Sequence, residues 1–159
     1  MYALIEAAQT QQYKALIALC GLCGCRVAEA LAIRPCDFDL TEMILTIRGK
    51  GEKERKVPIS TSAWSALQWS VAQAYVTGGG EVVGLKDRFA RRLITTLGKQ
   101  AGLMRPIASH DLRMTFGTCV YDKTLDIRLT QELLGHGSVS TTEGYTGIAQ
   151  DKMRGAVEL

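Results

Sequence analysis

A chain of 159 residues, 47% hydrophobic and 22% charged, is long enough for one domain with a true core and too short for two. That balance is the profile of a globular chain, not a disordered one, and the longest apolar run, residues 15–25 with glycines inside it, falls short of a bilayer span. A net charge of +3 neither demands nor excludes a polyanionic partner, so the distribution of charge says more than its sum.

Tyr13, Leu16, Ile17 and Cys20 recur at helical spacing and predict a helix from Thr10 to about Cys23, buried on one face and ended by Gly24. Nothing at the N-terminus has the basic-then-apolar pattern of a secretory signal, so a cytoplasmic chain is expected. The crowded thiols of CGLCGC (Cys20, Cys23, Cys25) read as reduced, small apolar core residues, because no second Cys/His pair lies at the spacing of a structural zinc site. Arg26 to Ile33 makes a second short helix, closed by Arg34-Pro35 since the residue before proline avoids helical backbone.

Residues 38–40, 43–48 and 56–59 are short, rich in β-favouring residues and separated by turn signals, which predicts a small antiparallel sheet. The GKGEKER turn between the last two places Lys50 between two glycines. Ser60 or Thr61 caps a helix carrying Trp64, Leu67, Val71 and Tyr75, and residues 77–84 form a glycine-rich connection. A helix from about Lys86 to Ala101 has Phe89, Leu93 and Leu97 on its core face and Arg88, Arg91, Arg92 and Thr95 opposite, with Gly102 as its stop. Beyond the Pro106 loop, a helix carrying His110 buries Leu112, Phe116, Cys119 and Val120. Asp126 caps the next helix and Gly135 stops it. A short segment holds Tyr145, and residues 148–159 read as weakly helical and in no need of packing on their own domain. The whole is mainly α with a small three-stranded antiparallel β-sheet, an α+β chain.

The chemistry concentrates in SHDLRMTFGTCVYDKTLDIRLTQELLGHGSVSTTEGYT, from Ser109 to Thr146. His110 and Arg113 lie three apart and so share a helical face; His136 follows Leu-Leu-Gly, and Tyr145 comes nine positions later (145 − 136 = 9). Two imidazoles, guanidiniums and a phenol in that order suit phosphate chemistry: cutting a phosphodiester requires a nucleophile, neutralisation of two non-bridging oxygens and a proton for the departing oxygen. Tyr145 is the nucleophile of choice, forming a covalent bond to phosphorus; its ordinary pKa of about 10 calls for help. Arg26 and Arg113 would favour the phenolate and clamp the transition state, since planar guanidinium donors match phosphate oxygens in pairs. Lys50 has a proton to give and suits protonation of the leaving oxygen. His110, at a helix N-terminus, can take the tyrosine proton or bond the phosphate, and His136 can donate to a non-bridging oxygen.

The order Arg, Glu, Lys, HxxR, His, Tyr, in the local words GCRVAEAL, GKGEKERKVP, SHDLRMTFGT and LGHGSVSTTEGYT, resembles the tyrosine recombinase (phage integrase) catalytic domain across nearly the whole chain. The resemblance implies that Arg26 opens the family's first box, that Glu29 one turn later orients it, and that Lys50 is the β-hairpin lysine with Lys53 as runner-up. It implies metal-independent cutting and rejoining of double-stranded DNA through phosphotyrosine, without a cofactor. Its expected partners are other protomers in a tetramer on DNA, with the C-terminal tail docking in trans, and an accessory DNA-bending protein; its expected place is the cytoplasm, at the nucleoid of a bacterial host. With that chemistry, the basic clusters become DNA-contact candidates at Lys53, Arg55, Arg88, Arg91 and Arg92. Met114 and Gly144 depart from the family's pattern, which often has a basic residue after the HxxR arginine. No N-terminal core-binding domain is expected in this chain, so alone it should be monomeric, bind DNA weakly and recombine poorly. Type IB topoisomerase-like relaxation, a non-catalytic DNA-binding module and a zinc protein built on CGLCGC are the competing readings.

Overall fold

The structure, a computed structural model, describes residues 1–49, 54–135 and 147–158, with backbone alone at 147–150. In chain order these form α1 (Tyr2–Ala7), α2 (Gln11–Gly21), α3 (Val27–Ala32), a 3-10 turn (Pro35–Asp37), β1 (Phe38–Asp39), β2 (Ile44–Arg48) and β3 (Glu54–Pro58). They continue through α4 (Thr61–Val76), α5 (Asp87–Gln100), α6 (Ser109–Thr124), α7 (Ile127–Leu134) and α8 (Gly147–Val157). The mainly helical α+β reading holds, with an antiparallel sheet in the order β1-β2-β3. Helix α1 escaped the sequence reading, being six residues long with no cap bond from a side chain. Among the described residues no helix is long and apolar enough to cross a membrane.

Helix α2 is the centre. The Thr10 hydroxyl accepts from the Tyr13 amide, starting the helix, and every residue from Ala15 to Gly21 is buried. Burial all round, rather than on the single face expected, follows from α1, α3, α4, α5 and α6 all packing against it. Cys20, Cys23 and Cys25 are fully buried, and burial pushes the thiols of Cys20 and Cys23 up to about 12, so they act as protonated apolar groups in the core.

The chain leaves α2 through Gly24, whose φ of +66° only glycine adopts without strain. A Cβ there would also lie 2.5 Å from the Phe116 ring. The turn therefore sits hard against α6, with its carbonyl facing the centre of the molecule, and the next residues carry the chain into α3.

In the sheet, Leu45 pairs with Val57 and Ile47 with Arg55. Leu45, Ile47 and Val57 are buried, so the two-residue period places Arg55 on the same inward side. Arg48 pairs with Asp37 and, at 2.9 Å, with Glu54, tying the base of the hairpin.

Two helical faces differ from the expected ones. α4, capped by Ser60 through the Ala63 amide, buries Ala63, Ala66, Leu67, Ser70, Val71 and Ala74, a stripe of mostly small residues that lets α2 come close. Trp64 is pushed to the flank against Phe38, and Tyr75 is 73% exposed. α5 buries Ala90, Leu93, Ile94, Leu97 and Gly98, leaving Phe89 at the edge against Tyr13. Asp126 caps α7 through the Leu129 amide, and Gly135 ends it at φ +65°. In α6, Cys119 is only half buried, while Leu112, Phe116 and Val120 face the core.

The C-terminal segment corrects an expectation. Read as needing no packing on its own domain, it forms α8 against α6 and β3 of the same chain. Met153, Ala156 and Val157 are buried there, an apolar trio at helical spacing that hides where it has room to hide. Glu158 closes the contact by accepting from the Thr61 amide and hydroxyl, and Lys123 donates to the Glu158 carbonyl.

Candidate active site

Three arginines from three parts of the chain meet at one carboxylate. Glu29, on the first turn of α3, accepts from the Arg26 amide at 2.8 Å and from Arg26 Nη1 at 2.9 Å, so it caps the helix and holds the side chain that precedes it. Arg55, from β3, donates through Nη2 to Glu29 Oε2 at 2.7 Å and through Nη1 to Oε1 at 3.2 Å. Arg113, from the second turn of α6, brings Nη1 to 3.8 Å from Glu29 Oε2.

The arginines differ in depth. Arg113 is 2% exposed and donates to the Gly24 and Leu134 carbonyls. The Arg55 side chain is 8% exposed and donates to the carbonyls of Gly24 at 3.3 Å and Leu133 at 3.0 Å. The Arg26 side chain is 51% exposed, the cluster's open end. Two guanidiniums thus fasten the Gly24 turn and the last turn of α7 together, and the third faces solvent.

Burial, then repulsion from Arg26 and Arg55, lowers the Arg113 pKa to about 10, so it stays protonated at neutral pH. Burial works to raise the pKa of Glu29, but hydrogen bonds from Arg55 and Arg26 outweigh it and hold the carboxyl below its ordinary value. Three guanidiniums against one carboxylate leave a surplus of two positive charges (3 − 1 = 2) in a largely dry site. An anion placed at the open end relieves that repulsion, and a phosphate offers paired oxygens to planar donors.

The structure therefore brings together Arg26, Glu29 and Arg113. His110 is exposed on the first turn of α6, one turn before Arg113 on the same helix. Lys50, Lys53, His136 and Tyr145 lie outside the described residues. Their described neighbours in sequence are the ends of β2 and β3, the end of α7 and the start of α8. Arg88, Arg91 and Arg92 are exposed along α5, where Arg91 is paired with Asp87 at 2.7 Å.

Arg55 is where sequence and structure part. Counted among the DNA-contact candidates because it belongs to a basic cluster, it is turned inward and bonded within the protein. The signal was present: Arg55 stands two positions before Val57 and shares its face of the strand.

The "Phage integrase family" model matches residues 1–152. A tyrosine recombinase XerC from Thermodesulfovibrio yellowstonii is 32% identical over 168 residues, covering 92% of this chain and 55% of that protein. Among solved structures, a XerA recombinase superposes with a TM-score of 0.77 at 33% identity, covering 96% of this chain and 60% of the other. A XerH site-specific recombinase bound to difH substrate in a pre-cleavage complex superposes with a TM-score of 0.69 at 25% identity, covering 86% of this chain and 45% of the other. The chain spans about half the length of the curated relatives it matches.

Proposed function

The chain belongs to the phage integrase family, and from that premise we propose that it carries out the DNA breaking and rejoining of a site-specific tyrosine recombinase. The observation that carries the reading is the convergence of Arg26 and Arg113 on Glu29, a preorganised cationic site with one open side. Relatives named as recombinases, one of them bound to its DNA substrate, support the same reading.

In this mechanism the scissile phosphate enters at Arg26, and guanidinium nitrogens of Arg26 and Arg113 meet its non-bridging oxygens. The Tyr145 hydroxyl attacks phosphorus; the new Tyr–O–P bond forms at the 3′ side as the bond to the 5′ oxygen breaks. Lys50 donates the proton that the leaving 5′ oxygen needs, because arginine holds its own proton too tightly to serve. His110, at the N-terminus of α6, receives the phenol proton, and His136 donates to the second non-bridging oxygen. Attack by a 5′ hydroxyl from a partner strand reverses the steps and frees Tyr145, so the strand is rejoined without an external energy source. Paired guanidiniums supply the positive charge that such a transfer requires. Double-stranded DNA and further protomers of the recombinase complete the assembly in the bacterial cytoplasm.

Incubation with a pool of nicked duplexes of randomised sequence tests this. A detergent-stable protein–DNA adduct is expected with the native chain and none with Tyr145→Phe. An adduct that survives that substitution, or none with either protein, overturns the proposal.

A further inference from the structure

Arg55 makes more bonds in the cluster than either arginine assigned to the phosphate. All three of its side-chain nitrogens are engaged: Nε with the Leu133 carbonyl, Nη1 with Glu29, and Nη2 with both Glu29 and the Gly24 carbonyl. To grip a phosphate it would have to abandon these buried acceptors, each costly to leave unpaired. It is built as a frame member, and the geometry shows what it frames.

Glu29 is shared. Its Oε1 receives Arg26 and Arg55, and its Oε2 receives the Arg26 amide and Arg55. Since Arg26 is half exposed, Glu29 is what orients its guanidinium, and Arg55 is what fixes Glu29. The same side chain joins β3 to the turn before Arg26 and to the end of α7. Its stem packs on Gly135, where an added Cβ would lie 2.9 Å from Arg55 Cδ. Gly135 immediately precedes His136 in the chain.

Resting on the function proposed above, we infer that Arg55 is a positioning residue for strand cleavage: through Glu29 it sets the orientation of Arg26, and it locks the hairpin strand, the Gly24 turn and the end of α7 into one body. Lysine cannot substitute, because one nitrogen cannot span three acceptors on three elements. Misplacing a phosphate-binding group by about 1 Å costs up to roughly a hundredfold in rate.

The test uses Arg55→Lys in the full 159-residue chain with the nicked randomised pool, reading both the adduct-forming rate at saturating DNA and the apparent affinity. The rate is expected to fall about 10- to 100-fold, with affinity held within about twofold, since the Arg55 donors are taken up by acceptors inside the protein. In an Arg26→Lys background the same change should cost no more than about twofold, because the group it positions has already been altered. A folding defect alone lowers both backgrounds equally. If Arg55→Lys melts below the assay temperature, Gly135→Ala, which crowds the Arg55 stem in place, should reproduce the rate loss. A folded Arg55→Lys with native rate overturns the inference, as does a loss confined to affinity or a full-sized loss in the Arg26→Lys background. A native chain without a Tyr145-dependent adduct overturns the function itself and this inference with it.

Discussion

The carboxylate of Glu29 organises the site, and its protonation is the most direct handle on it. Its pKa is held below the ordinary 4.5 in the folded chain, so its contribution to stability is complete above that value and is lost as pH falls through the lower, folded-state value. Glu29→Gln should therefore be less stable than the native chain at neutral pH, with the gap closing in acid. Urea midpoints from pH 7 to pH 3 measure it, and two parallel curves would contradict the role given to Glu29. Gly24 is the second sensitive position, since alanine there meets both a left-handed backbone and the Phe116 ring. A loss of roughly 2–4 kcal/mol is expected in the same titration, and a substitution costing nothing would show that the turn has room to move. The Arg26–Glu29 pair was legible from the family resemblance, with its i, i+3 spacing in support. The depth of Arg113 was not, because an arginine in a helix normally reads as a solvated group. Only the carbonyls of Gly24 and Leu134, far off in sequence, make its burial affordable.

At the scale of elements, caps and stops could be read directly: Thr10, Ser60, Asp126 and Gly135 all mark the ends foreseen. Faces were harder. In α4 and α5 the largest side chains were taken for the core, whereas close helix approach selects alanine, serine and glycine and leaves Trp64, Tyr75 and Phe89 at the edge. The C-terminal helix was underrated for a related reason, since three buried residues in a polar segment make a weak signal. Those three hold it in place, for its exposed pairs, Lys152 with Asp126 and Arg154 with Glu42, contribute little each. Met153→Ala should cost about 2–5 kcal/mol in denaturant unfolding. An unchanged midpoint would mean that α8 is not part of the cooperative unit.

For the whole molecule, the proposed function calls for an attraction to DNA that a net charge of +3 understates, and the exposed Arg88, Arg91 and Arg92 on α5 offer one place for it. Arg88 and Arg92 are exposed on α5, while Arg91 is partly spent on Asp87. Replacing Arg88 and Arg92 by alanine should weaken binding across sequences and flatten the dependence of log affinity on log salt by about 2. A slope that does not move would place DNA on another face.

Strand cleavage as proposed needs two guanidiniums at one phosphate. A crystal structure of the chain trapped on a nicked duplex should show the scissile phosphate with nitrogens of Arg26 and Arg113 about 2.7–3.2 Å from its non-bridging oxygens and the Tyr145 oxygen bonded to, or in line with, phosphorus. A phosphate held elsewhere, with Arg113 still spent on carbonyls and Arg26 facing solvent, would contradict it.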